Sequence, residues 1–504
     1  MRIALVAIGR RENRYAREFV EHYLHLGFDR IFICDNNHDG EERFEDVLGD
    51  FVADRKVSVL DYRNRMGVQC TAYNDVYRRI GHKYDWIAFF DFDEFLVMAD
   101  GLSVKQWLHT FDGTDADDVL VNWMCYGDGG MVYDDGRKLM ERFTEPLPFD
   151  KAVQYDFPNN DHVKSIVRGG LSEISFGKNP HVPDTVHCCY RADWKPCQPS
   201  PFQPYDFSVA HLKHFATKTI SEWMHNKWMH NKWSKGTGNK PSLEAFRSKY
   251  DGRFFRYNDE TPEKVAYVQA FQRNREARIV VCVVNYNTTR LTQCAIRSLW
   301  KHSPGVGVIV FDNSDKVPFP PMDGVEVIDN TRGQVIDFDK LLAKFPDKVD
   351  VGNGWASAKH CYTVQWLVTK RKRPFLLMDS DVLIKQDIST FWDKSQAFVG
   401  QVKPHTSAFK ITVDRVLPFL CFVNVQMMKQ HGVSYFSYAK MWALNNRVPD
   451  KAYDTGCWFL EDVRNHRLPS RDVCIDPYVL HFGHGSWRDK DPDAWLDEHS
   501  GLWR

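Results

Sequence analysis

A chain of 504 residues is too long for one hydrophobic core, which rarely grows past roughly 250–300 residues, so two domains are expected. Apolar residues at 43% and charged residues at 26% belong to a folded globular chain and exclude a disordered one. Lys plus Arg number 66 and Asp plus Glu 67, a formal net charge of −1 that argues against a nucleic-acid partner.

The opening stretch, Met1 to Gly9, is short and meets Arg10, Arg11 and Glu12 at once, so it does not read as a signal peptide. No run of about 18 apolar residues free of charge follows, so no membrane span is expected. The 12 cysteines are scattered without a CxxC pair, the pattern of reduced, buried thiols. A cytoplasmic protein is expected, and peripheral association with the inner face of a membrane stays open.

Arg2 to Ile8 (RIALVAI) reads as a buried strand. A polar turn through Arg11, Glu12 and Asn13 follows, then a helix with Tyr15, Phe19 and Tyr23 on one face. Arg30 to Cys34 is a second strand, and it ends on Asp35. Asp85 to Phe90 is a third, running into Asp91-Phe92-Asp93-Glu94. The same order returns later. Arg278 to Val284 meets Asn285-Tyr286-Asn287, Val306 to Phe311 ends on Asp312, and Pro374 to Met378 runs into Asp379-Ser380-Asp381. Three landmarks in one order predict a duplicated architecture of mostly parallel α/β sheets. The expected division is 1–240, a linker or connecting helix over 241–277, and 278–504. The pentapeptide Met224 to Trp228 recurs at once as Met229 to Trp233, which reads as a duplication tolerated at a helix end.

The chemistry sits in the aspartate pairs. In extended backbone, residues i and i+2 face one side, so the two carboxylates of each DxD converge at a strand end. Ligands bind at such ends in α/β sheets. Convergent carboxylates repel unless a cation lies between them, and Mg²⁺ or Mn²⁺ takes such oxygens together with those of a diphosphate.

The first half resembles the DUF23-type proteins of glycosyltransferase family 92 and their relatives in the family 2 clan. Arg11-Glu12-Asn13, Glu21 to Gly27, Asp35-Asn36-Asn37, Asp85 to Leu96, Glu141-Arg142-Phe143 and His214 to Thr219 carry the likeness, with Thr219 where the family tends to have Ser. The second half resembles a more general family 2 type domain, through Asn285-Tyr286-Asn287, Asp312 to Asp315, Gly352-Asn353-Gly354, Asp379-Ser380-Asp381 and Asp454-Thr455-Gly456. The resemblance implies two tandem GT-A domains, Rossmann-like with mostly parallel sheets. It further implies Mn²⁺ or Mg²⁺ and a nucleotide-sugar donor of the UDP-sugar kind, used on a glycan or lipid-linked glycan acceptor.

By the same resemblance Asp35 and Asp312 contact the uracil or ribose, with Asn285 in the matching turn, and Lys218 contacts the diphosphate. An Asx-turn is the alternative role for the two aspartates. Metal ligands are expected at Asp91, Asp93, Asp379 and Asp381, completed by His211 or His214 in the first half and by His481 and His484 in the second. Asp454 is the favoured base of the second half, with Glu461 and Asp462 behind it, and helix caps or solvated faces as the plain alternative. No base stands out in the first half, where Glu173 and Asp128 are guesses. Trp123 and Trp487 are candidate sugar platforms. A bifunctional transferase is the leading reading, and one catalytic domain with a non-catalytic twin is the alternative. A nucleotidyltransferase lacks its Gly-rich first loop, and a DxD phosphatase would carry that motif on its first strand.

Overall fold

The computed structural model describes residues 1–39, 41–99, 101–148, 160–177, 179–224, 253–344, 353–406, 412–440, 453–483 and 491–504. The chain divides into two compact units, one built mainly from Met1–Tyr133 and Arg137–Asn239, the other mainly from Thr261–Arg504. Both are α/β, with large, mostly parallel sheets.

In the N-terminal unit, β1 (Ile3–Gly9) lies between β2 (Arg30–Asp35) and β4 (Trp86–Phe89), and β3 (Val57–Asp61) flanks β2, all parallel. Its two faces are both covered. Ile3, Leu5 and Ala7 join the core under the helices Asn13–His25 and Phe44–Ala53, while Ala4 and Val6 join the core under Gln69–Ile80. Burial on both sides explains why the strand is apolar throughout rather than alternating. Beyond β4 come β7 (Val163–Arg168) and β6 (Asp118–Cys125), each antiparallel to its neighbour. Next is β10 (Ala210–His214), parallel to β6, and then β5 (Glu94–Met98), antiparallel to β10. A short hairpin of β8 (Cys189–Arg191) and β9 (Pro196–Cys197) extends from β6.

The C-terminal unit repeats this order. Strand β11 (Val280–Asn285) lies between β12 (Gly307–Asp312) and β14 (Phe375–Asp379), with β13 (Val325–Asp329) outside β12, all parallel. Then come β17 (Thr412–Val423) and β16 (Phe398–Thr406), both antiparallel to their neighbours, and β18 (Arg471–Asp472), parallel to β16. Strand β15 (Val382–Ile384) pairs antiparallel with β19 (Val479–His481).

The helix Pro262–Glu276 falls in the stretch expected as a connector. Thr261 caps it and Pro262 opens its first turn, where a missing N–H costs nothing. It belongs to the C-terminal unit, where Asn274 bonds the Val308 carbonyl and Glu326. The pentapeptide repeat from His225 onward lies outside the described residues, as do Gly352, His484 and Trp487. Among the described residues no helix is long and apolar enough to cross a membrane.

Candidate functional site

The turn from β4 to β5 is pinned by its middle residue. Phe92 is buried, with its ring 4.7 Å from Phe19 and 5.0 Å from Phe44. Gly9 makes room for that packing, since a Cβ there would stand 2.5 Å from the Phe44 ring and 2.6 Å from Phe92. With Phe92 anchored, Asp91 and Asp93 flank it, but they take different partners. Asp91 accepts from Lys164 Nζ at 2.7 Å, Gln69 Nε2 at 2.8 Å and Tyr73 Oη at 3.2 Å. Asp93 lies 3.5 Å from Lys218 Nζ and 4.0 Å from His214 Nε2.

One group of possible metal ligands in this unit is therefore Asp93, Glu94 and His214, whose ligand atoms lie within 4.8 Å of one another. Two of the expected ligands lie outside this group. Asp91 is turned to Lys164, Gln69 and Tyr73. His211 is outside because Ala210, Leu212 and His214 turn inward from β10, leaving His211 on the other face beside Phe207. Glu94 stands directly across the ladder from His214. It is fully buried, and its Oε1 has no hydrogen-bond partner. Burial pushes its carboxyl well above the usual range, Lys164 at 3.5 Å opposes that, and Asp91 and Asp93 add to it. A buried oxygen met only by an ammonium at 3.5 Å, two carboxylates and an imidazole suit a hard divalent cation such as Mg²⁺ or Mn²⁺.

An aromatic wall adjoins the triad. The Trp123 ring lies 3.9 Å from His214, 4.8 Å and nearly parallel to His162, and 5.3 Å from His181. Phe202 closes its outer end, 4.7 Å from His162.

Asp35 and Asp312 end equivalent strands and build equivalent turns. Asp35 accepts the Asn37 and Phe44 N–H groups, and Asp312 accepts those of Ser314 and Phe319. Asn37 and Ser314 then bind back to the first turn of their unit, through the N–H of Arg11 at 2.6 Å and of Asn287 at 3.0 Å. Both donors are left-handed, with φ of 63° and 56°. Asn285 is fully buried. It donates to Asp312 and Ser314 and accepts from Thr288 and Thr292, so its amide is committed to this turn.

In the C-terminal unit Asp379, Asp381 and His481 form the second group. His481 lies opposite Val382, the residue after the DxD, as His214 lies opposite Glu94. The next residue repeats as well, since Phe215 and Phe482 each donate N–H to the second aspartate's carbonyl, at 2.9 and 3.0 Å. His481 Nε2 is 3.3 Å from Asp381, and His360 Nε2, not expected from sequence, is 3.5 Å from Asp379. Asp454 is held by Ser357 at 2.6 Å and by the Arg415 guanidinium, with His405 at 3.8 Å. Ser357 and His360 are one turn apart on the helix Asn353–Lys370, which brings Asp454 to the same helix face as Asp379. Glu461 accepts from the Tyr453 hydroxyl and faces Lys440 at 3.4 Å. Asp462 is buried and accepts from the Ser434 N–H and hydroxyl.

Residues 11–249, just under half of the chain, match the sequence model of Glycosyltransferase family 92. The match falls in the N-terminal unit, which is similar to that family there, and the chain is an enzyme of the glycosyltransferase class. No curated protein matches the sequence. Among solved structures, the galactosyltransferase LgtC with donor and acceptor sugar analogues shares 12% identity over 44% of this chain and 95% of its own, with a TM-score of 0.31. The glycosyltransferase GlyE of Streptococcus pneumoniae shares 10% over 45% and 62%, with a TM-score of 0.29. TarS of S. aureus with UDP-GlcNAc shares 12% over 28% and 37%, with a TM-score of 0.21.

Proposed function

We propose that the chain is a bifunctional, metal-dependent glycosyltransferase, with one nucleotide-sugar site in each unit. One observation carries this reading. In both units the residue after a DxD at the end of a central strand lies across an antiparallel ladder from a histidine. Asp93, Glu94 and His214 would hold a divalent ion in the first unit, and Asp379, Asp381 and His481 in the second. Such an ion supplies positive charge for the departing diphosphate. Around it the chain's own groups divide the work. Lys218, fully buried, faces the diphosphate side of Asp93 as a fixed cation. Asp35 and Asp312 shape the turn where a nucleoside would rest, and the lone pairs they keep free would meet its hydroxyls or N–H. Asp454, positioned by Ser357 and Arg415, is the candidate base of the second unit. UDP-sugars are the proposed donors and a glycan, free or lipid-linked, the acceptor.

The test is a donor screen with UDP-, GDP- and TDP-sugars, with and without Mn²⁺, followed by calorimetry with the matching nucleoside diphosphate. Two metal-dependent sites per chain are expected. One site per chain would favour a single catalytic unit with a non-catalytic twin, and none would overturn the reading.

A further inference from the structure

Among the described residues, the carboxylates around the N-terminal site are already committed, Glu12 to Lys218 at 3.7 Å. Asp91 is bound to Lys164, while Asp93 and Glu94 belong to the triad. Asp128 accepts the Gly130 N–H in its own turn, Asp161 faces His162 at 3.4 Å, and Glu173 is exposed. Of the imidazoles on Trp123, His214 belongs to the triad and His162 faces Asp161, which leaves His181. His181 Nδ1 lies 2.9 Å from the Val163 carbonyl oxygen, which can only accept, so the ring proton sits on Nδ1. That leaves a lone pair on Nε2, to which no described residue hydrogen-bonds. The ring packs on Trp123 at 5.3 Å and on His162 at 5.5 Å, so its plane is fixed by contacts as well as by the hydrogen bond. Its carbonyl partner directly precedes Lys164, the cation that holds Asp91. A single indole, Trp123, separates His181 from His214 of the triad.

On the reading that this unit transfers a sugar from a nucleoside diphosphate, we propose that His181 is its general base. It receives on Nε2 the proton of the attacking hydroxyl. The hydroxyl oxygen bonds to the anomeric carbon. The bond from that carbon to the diphosphate oxygen breaks, and the oxygen keeps the electron pair. The proton passes to Nε2 and from there to solvent, so His181 ends as it began. Attack from the side opposite the leaving group inverts the anomeric centre.

The electrostatics suit that task. Burial first, then Lys164 and to a lesser degree His162, hold the imidazole down to about 4, against the Val163 bond and Asp91. The ordinary values of Asp and Glu are about 3.9 and 4.3, so His181 is about as basic as a carboxylate while being neutral before reaction. A neutral base adds no repulsion to a departing diphosphate or to Asp91, the carboxylate whose charge reaches it. It also stays unprotonated above about pH 5, so activity is not lost through this group on going from pH 8 to 6.

The experiment uses the full chain with the second triad disabled by Asp379→Ala and Asp381→Ala, and follows UDP release from the donor that the screen selects. His181→Ala should lower the rate roughly 100-fold or more. Its affinity for UDP in calorimetry should stay that of the parent, and free imidazole should restore part of the rate. His181→Asn keeps an N–H for the Val163 carbonyl without a base. It should melt like the parent, be as slow as the alanine variant and gain nothing from imidazole. Rates near the parent's in both variants would overturn the proposal. A rate loss matched by lost UDP affinity, or no rescue of His181→Ala by imidazole, would do the same. A parent chain that turns over none of the donors overturns the glycosyl-transfer reading itself, and the proposal with it.

Discussion

The two units share a backbone plan and differ in how they balance charge. In each, a left-handed residue of the first turn, Arg11 or Asn287, donates its N–H to the side chain two places after a strand-end aspartate. In each, a His-Phe pair closes on the DxD turn by the same backbone bond. The residue across from the histidine then parts them. It is Glu94 in one and Val382 in the other. The extra carboxylate comes with two buried ammonium groups, Lys164 and Lys218. The second triad is only partly buried, and the groups facing its aspartates are the imidazoles of His360 and His481. A strand order can be copied while the electrostatics at its ends are rebuilt.

The sharpest break of the comparison is loss of the shared part. Asp93→Ala and Asp381→Ala should each abolish one Mn²⁺-dependent site. Removing groups that only support a ligand already costs about 10–100-fold in metal affinity, so the ligand itself should cost more. Titrating Mn²⁺ into each variant, with circular dichroism to confirm the fold, separates the sites. Equal residual binding in both variants would mean the triads are not the metal sites.

Next in size is the part that differs. Lys164→Met leaves Asp91 and Glu94 without their buried cation, and breaking a buried pair costs about 3–5 kcal/mol. Urea unfolding should show that loss in the N-terminal unit, and added Mn²⁺ should recover part of it. A variant as stable as the parent would mean that Glu94 is protonated and Asp91 well served by Gln69 and Tyr73.

The acid response of the N-terminal unit should carry two contributions of opposite sign. Glu222 is buried and paired with Arg142 at 2.9 Å. Burial raises its carboxyl, but Arg142 outweighs that and holds it at about 2. Its unfolded value is about 4.3, so the native state favours the ionised form. The stabilisation is complete above about pH 4.5 and is lost as pH falls towards 2. Asp118 has the opposite sign. Burial raises it to about 7, so its burial costs stability progressively as pH rises from about 4 to 7. Glu222→Gln should flatten the low-pH loss, and Asp118→Asn the loss towards neutrality, each followed by unfolding midpoints across pH. A profile unchanged by Glu222→Gln would remove the Arg142 pair from the account.

The smallest effect expected is at a helix cap. Thr261 accepts the Lys264 N–H at the start of the helix that packs on β12 and β13, and Thr261→Ala should cost about 1 kcal/mol. A larger loss, read from the unfolding midpoint, would show that the helix start is tied to more than its cap.

The strand frame was legible because a buried parallel strand must be apolar on both faces and must end where its polar residue appears, as at Asp35, Asp312 and Asp379. The triad histidine was legible too, had parity been applied. In Ala210-His211-Leu212-Lys213-His214 the apolar residues share a face with His214 and not with His211. That Asp91 turns to a lysine while Glu94 joins Asp93 and His214 was hidden, because Lys164 arrives 73 residues later from another strand. His360 escaped for the same reason, its helix being unrelated in sequence to the aspartate it meets. His181 sits in an irregular segment, where neither the 2.0 nor the 3.6 periodicity speaks.

The two lysines also bear on how the protein comes into being. A nascent chain must pack Asp91, Asp93 and Glu94 together before any cation is sure to be at hand, and a bare carboxylate cluster would resist that step. With Lys164 and Lys218 in place, that repulsion is offset from within the chain, and compaction of the N-terminal unit need not wait for an ion. On the proposed metal-dependent reading, a cell short of the ion would accumulate the unit as folded, idle enzyme that starts work when the ion returns, with no new synthesis.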